Sequence, residues 1–140
     1  MREILFRGKR VDKGEWTEGY LFKQWNRTFL LWGMTGDIPN MTEVISKTAG
    51  QFTGLTDKNG KKIFEGDIIR AITLDTGSEE IAVVCFGNFI DENNGDEYIG
   101  FYIEFDGIKT TATQLAMEEA KNRIEVIGNI YDNPELLKEE

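Results

Sequence analysis

The 140-residue sequence has no histidine and a single cysteine, and these two shortages remove much familiar enzyme chemistry before any motif is considered. Without imidazole there is no Ser-His-Asp or Cys-His nucleophile, no HExxH zinc site and no His-ligated iron or copper. Cys85 alone can form neither an internal disulfide nor a Cys-rich zinc site, and nothing points to an oxidising compartment. Long apolar runs are missing too. No stretch approaches the roughly 18–20 apolar residues of a membrane-spanning helix. The start, Met1 to Arg10, alternates charged with apolar residues instead of building a signal-peptide core. The expectation is a soluble, cytoplasmic protein with no membrane partner.

Basic charge is scarce as well, with 16 Lys and Arg against 25 Asp and Glu for a net charge of −9. Counted by segment, residues 1–90 hold 12 basic and 12 acidic side chains, whereas residues 91–140 hold 4 and 13, so the excess lies in the last third. A duplex-binding protein displaces phosphate counterions with a basic stripe, and this chain has none of that size; nucleic acid is an unexpected partner. Only the first 13 residues run basic, with Arg2, Arg7, Lys9, Arg10 and Lys13 against Glu3 and Asp12. They read as a solvated strand edge that discourages aggregation.

What is present is enough apolar material for a core, at 40% hydrophobic and 11% aromatic residues, arranged in short β-branched or alternating stretches between Gly and Asn turns. The fold class is therefore mainly β, with some α: an N-terminal β-hairpin layer over 1–49, a turn-rich joint over 50–69, and a small SH3-like β-barrel over 70–140, in one compact unit. Ile4–Arg7 and Trp16–Phe22 flank Asp12-Lys13-Gly14 as a first hairpin. Thr28–Trp32 and Glu43–Ile45 read as strands around a loop at 33–40, and Gln51–Leu55 leads into an Asp57-Lys58-Asn59-Gly60 turn. Runs at 68–72, 81–86, 98–105 and 124–131 supply the barrel. In the joint, Phe52, Leu55, Ile63, Phe64 and Ile68 are spaced to enter the core. One helix is expected at about 112–121, from the capping-box spacing of Thr111 and Gln114 and the shared face of Ala112, Leu115, Ala116 and Ala120. A single turn is expected at Pro134–Leu137 behind Asn133 as its cap.

Each candidate site has a structural explanation beside it. Glu65 and Asp67, two residues apart on an extended chain, share one side as an acid and base pair requires, but Asp67 at a tight strand entry is better explained by backbone hydrogen bonds. Asp91 to Glu97 is rich in oxygen ligands, yet its Gly95 falls at the fifth position of a calcium loop and Tyr102 stands where the bidentate Glu belongs. It reads as a hairpin turn on Asn94-Gly95. Gly54 to Gly60 before Lys61-Lys62 has the wrong spacing for a phosphate loop. Cys85, between Val84 and Phe86, reads as a small buried hydrophobe. No metal and no cofactor is expected. The binding candidates are the aromatics Trp25 and Trp32 and the carboxylates Asp91, Glu92, Asp96 and Glu97.

Three stretches in this order resemble the YopX-like family of small phage and prophage proteins. They are Arg2-Glu3-Ile4-Leu5-Phe6-Arg7-Gly8 with Gly14, Trp16 and Gly19, then Gly50 through Ile69, then Ile124 through Leu137. The resemblance implies a phage or prophage origin, a bacterial cytosolic location, a mostly β fold and oligomers, and it carries no catalytic residues with it. The leading expectation is a non-enzymatic accessory protein whose acidic final third seeks a basic patch on a host or phage protein. A nucleic-acid-binding barrel using its aromatics, and an enzyme using Glu65 and Asp67, are the alternatives. Leu30, Leu31, Trp32, Met34, Ile38 and Met41, crowded into one short stretch, predict a homo-oligomer.

Overall fold

The structure is a computed structural model and describes residues 3–72, 77–92, 94–112 and 122–137. It is mainly β, as the turn-punctuated pattern predicts, and divides into two compact units, Met1–Gly54 and Leu55–Glu140. Among the described residues no helix is long and apolar enough to cross a membrane.

In the first unit, strands β1 (Phe6–Lys9), β2 (Trp16–Gln24), β3 (Arg27–Thr35), β4 (Ile38–Val44) and β5 (Gly50–Thr56) lie antiparallel in the order β4-β3-β2-β1-β5. Leu30, Thr28 and Val44 are buried from one face of β3 and β4. The polar member of that set is satisfied: the Thr28 hydroxyl lies 2.7 Å from that of Ser46, in a 3-10 turn over Ser46–Thr48. The Thr48 hydroxyl then accepts the Lys9 N–H at 2.9 Å and donates to the Ile45 carbonyl at 2.6 Å, tying the turn to β1.

Two expectations change here. The loop placed at 33–40 is instead the extended end of the β3–β4 hairpin. The register shifts between Trp32 and Met34, with Gly33 at φ 57°, so a bulge absorbs one residue and pairing continues to Thr35 opposite Ile38. Pro39 is tolerated because β4 is the outermost strand. The basic N-terminal strand is no edge either: β1 pairs with β2 on one side and β5 on the other. Its cations are used internally. Arg7 lies 4.6 Å and the Lys9 ammonium 5.7 Å from the centre of the Trp16 ring, and Arg10 grips Asp12 through two 3.0 Å bonds.

The second unit opens with the end of β5, beside which β6 (Lys62–Phe64) returns. Strands β7 (Asp67–Ile72), β8 (Glu79–Ile90), β9 (Glu97–Phe105), β10 (Ile108–Thr111) and β11 (Ile124–Asn129) follow, in the order β10-β9-β8-β7-β11. Ile63, Ile69, Ala82, Val84, Ala112, Ile124 and Val126 form its buried core, with Leu55, Phe101, Ile103 and Phe105 packed against it. Of the expected joint residues, Phe52, Ile63, Phe64 and Ile68 are buried.

This sheet is open, which corrects the expected closed barrel. Closure requires the two outer strands, β10 and β11, to pair, and among the described residues they do not. The outer side of β11 is already engaged by the Asp57 turn. The Lys58 N–H donates to the Ile124 carbonyl at 3.0 Å and the Val126 N–H donates to Asp57 Oδ2 at 2.9 Å. The helix expected at about 112–121 lies, beyond Ala112, outside the described residues. The turn expected behind Asn133 is present as a 3-10 turn over Pro134–Leu137, where the Leu136 N–H donates to the Asn133 carbonyl at 3.1 Å.

Candidate functional site

The β2–β3–β4 ribbon carries the most apolar surface left open to solvent in the first unit. Tyr20, Leu31 and Met41 are directly opposite one another across the three strands, and Phe22, Phe29 and Glu43 form the next rank on the same face. Met34, opposite Pro39, joins them beyond the bulge. Tyr20 is 63% exposed, and Phe22, Met34 and Met41 are exposed with it. One end of the face is closed, where Arg27 makes a two-bond pair with Glu43 at 3.1 and 2.9 Å and sits 4.9 Å from the centre of the Phe29 ring, leaving Phe29 buried. The hydrogen bond from Arg27 holds the Glu43 carboxyl below its ordinary pKa.

The opposite face of the ribbon is buried at Leu30 but open farther along, where Trp32 and Ile38 are exposed. The Trp32 indole N–H donates to the Thr42 hydroxyl at 2.7 Å, which fixes the ring across the strand pair and leaves part of it in solvent. Trp25 sits in the two-residue turn between β2 and β3. It is 86% exposed and has φ 56°, a left-handed conformation that a bulky side chain rarely adopts. Ribbon and turn together therefore present aromatic and methionine side chains on two faces and at one tip.

The four carboxylate candidates belong to the second unit and serve its β8–β9 turn. Asp91 is buried; its Oδ2 accepts the Thr111 N–H at 3.1 Å and its backbone N–H donates to the Asp96 carbonyl at 2.9 Å. The Glu92 N–H donates to the Lys109 carbonyl, and Glu97 opens β9 opposite Ile90. Asp91 is thus a fastener between the turn and β10, and Glu92, Asp96 and Glu97 are its exposed rim. Among the described residues no group of three or more His, Cys, Asp or Glu side chains is placed to hold a metal.

Glu65 and Asp67 are not brought together as a strand pair. Glu65 and Gly66 form a turn, and Asp67 is buried with Oδ2 accepting the Phe64 N–H at 2.7 Å. Cys85 is half-buried, and burial, aided by Glu104, pushes its thiol up to about 11. A thiol of that basicity stays protonated and unreactive near neutral pH.

The model of the YopX protein family matches residues 5–138. The chain belongs to the YopX family. The matched span reaches through most of both units and covers every described strand of this YopX-family chain. The crystal structure of protein EF1440 from Enterococcus faecalis is similar in fold, with a TM-score of 0.52 at 23% identity over 99% of this chain and 100% of that one. Among curated proteins, none matches.

The sequence pointed to Trp25 and Trp32 by residue type alone. It did not single out Tyr20 and Phe22, whose spacing of two places them on one side of β2. The signal was the alternation itself, but it does not say which side of a strand will be covered.

Proposed function

We propose that this YopX-family chain is a phage- or prophage-encoded accessory protein, without catalysis of its own, that acts in the bacterial cytoplasm by binding other proteins. The observation that supports a protein-contact role, self-association first, is the open apolar face of Tyr20, Phe22, Met34 and Met41 on a ribbon whose reverse side exposes Trp32 and Ile38. A face of this kind is stable in water when a second protein surface covers it. A second copy of the chain is the occupant we assign to the ribbon. A symmetric, closed oligomer would also cap the outer strand β4. The acidic last third is left to steer the assembly toward a basic patch on a host or phage protein.

Sedimentation at micromolar concentration tests the assignment. The wild-type protein is expected well above the 16.0 kDa chain mass, and a double Met34→Glu, Met41→Glu variant near it. A single wild-type species at the chain mass at both low and high salt would overturn it.

A second reading draws on Trp25, an exposed ring at the tip with Lys23 two residues before it, the neighbouring Arg27 being paired with Glu43. That tip is suited to stacking a single-stranded base. A salt-sensitive mobility shift with single-stranded nucleic acid, lost in Trp25→Ala, would favour it.

A further inference from the structure

The second unit contains two Asn-Gly pairs at exposed turns, Asn59-Gly60 and Asn94-Gly95, and holds them differently. An Asn followed by Gly is open to an internal reaction that requires no partner. The Gly backbone nitrogen attacks the Asn side-chain carbonyl carbon. A C–N bond forms, the bond to the side-chain nitrogen breaks, and ammonia leaves with the proton from the Gly nitrogen. Water then opens the resulting succinimide at either carbonyl, giving aspartate or isoaspartate. No electrons are exchanged, and water is the sole co-reactant.

In both turns the attacking nitrogen is occupied. The Gly60 N–H donates to the Asp57 carbonyl at 3.0 Å and the Gly95 N–H to the Asp91 carbonyl at 2.8 Å, so reaction waits on local opening in each. The amides under attack differ. The Asn94 amide is held at both ends, its oxygen accepting the Asp96 N–H at 2.9 Å and its nitrogen donating to the Tyr98 hydroxyl at 2.9 Å. The Asn59 side-chain amide has no hydrogen-bond partner among the described residues. It is free to rotate toward Gly60 as soon as the turn opens.

We propose that Asn59-Gly60 is a self-modification site of this protein, and that Asn94-Gly95, identical in sequence, is protected by its side-chain hydrogen bonds. The consequence follows from where Asn59 sits. Its backbone N–H donates to Asp57 Oδ1 at 2.8 Å, the Lys61 N–H donates to the same oxygen at 2.9 Å, and Asp57 Oδ2 receives the Val126 N–H. Isoaspartate at 59 inserts a backbone methylene into this turn and places a new carboxylate beside Asp57. The turn and its tie to β11 loosen together, so the second unit is marked for age at one position.

The test is timed incubation of the full-length protein at mildly alkaline pH, with peptide mass mapping of both sites, in buffer and in urea. In urea the two sites are expected to convert at similar rates. In the folded protein Asn59 should convert several times faster than Asn94, and Tyr98→Phe, which removes one hold on Asn94 and retains the ring, should speed Asn94 several-fold and leave Asn59 unchanged. Asn94 converting as fast as Asn59 in the folded wild type, or unaffected by Tyr98→Phe, would overturn the proposal.

Discussion

Asn133 reaches back over Gly128: a Cβ added to Gly128 would lie 2.5 Å from Asn133 Oδ1 and 2.8 Å from its Cγ. The same Oδ1 accepts the Asn129 N–H at 3.2 Å, while Asn129 Oδ1 accepts the N–H groups of Tyr131 and Asp132 at 3.0 and 2.9 Å. Gly128, Asn129 and Asn133 therefore form one turn whose parts fit only in combination. Gly128→Ala should destabilise the protein by about 1–3 kcal/mol, because Asn133 is pinned and cannot move aside without losing its bond. A denaturant midpoint unchanged from wild type would contradict this.

Gly66 makes a comparable demand. Its φ is 93°, and an added Cβ would stand 3.2 Å from Tyr131 Cε2. Gly66→Val should cost about 1–3 kcal/mol through backbone strain, with the crowding of Tyr131 adding to it. Thermal unfolding measures the loss, and an unchanged melting temperature would mean the backbone relaxes to negative φ.

Trp25 is predicted to behave in the opposite sense. Trp25→Gly relieves a left-handed conformation at an exposed position and should stabilise the folded state by roughly 1 kcal/mol, net of the entropy glycine adds to the unfolded chain. If the same variant loses partner or nucleic-acid binding, the strained tryptophan serves contact at the expense of stability. Equilibrium unfolding showing a loss of stability instead would mean Trp25 is held by packing.

These three glycine and tryptophan positions also show how much the sequence disclosed. The turns at Gly14, Asp57–Gly60, Asn94–Gly95 and Asn133 were legible because Gly, Asn and Pro act through local backbone geometry. The five-stranded sheet of the second unit was partly legible, since its apolar runs are long, but β6 and β10 are three and four residues and give too short a pattern. Open sheet and closed barrel share the same alternation. What separates them is the pairing of Asp57 with Val126, 69 positions away, which no local pattern records. The exposed apolar face was hidden for a related reason: Tyr20 and Phe22 look like core residues until it is known that, among the described residues, nothing in their own unit covers them.

Asp57 sets an acid limit on the second unit. Burial alone would raise its pKa, but the N–H groups of Val126, Lys61 and Asn59 and the charge of Lys61 together hold it below the ordinary value of 3.8. A depressed carboxyl contributes stability that is present above the unfolded pKa and is lost as pH falls through the folded one. Stability should therefore decline as pH drops below about 4, and Asp57→Asn should flatten that part of the curve while lowering stability at neutral pH. Urea titrations from pH 7 to 2 give the comparison, and identical slopes for the two proteins would exclude Asp57 as the cause.

Cys85 should resist alkylation near neutral pH in the folded protein, with the rate rising toward a midpoint at about 11. Iodoacetamide labelling followed by mass gives the profile. Rapid labelling at pH 7.5, without unfolding, would show that the thiol is exposed and ionised.

The order β10-β9-β8-β7-β11 has a bearing on how the molecule is made. Strand β11, the last of this sheet in chain order among the described residues, docks on β7, its first, 55 residues earlier in the register of Arg70 with Glu125. Until β11 leaves the ribosome, the edge of β7 that will pair with it presents unpaired backbone N–H and C=O groups, and a meander with such an open edge is the kind of nascent species that sticks to others of its kind. Translation speed through residues 72–124, and any chaperone that shields β7 during that interval, should therefore govern yield more than the stability of the finished fold does.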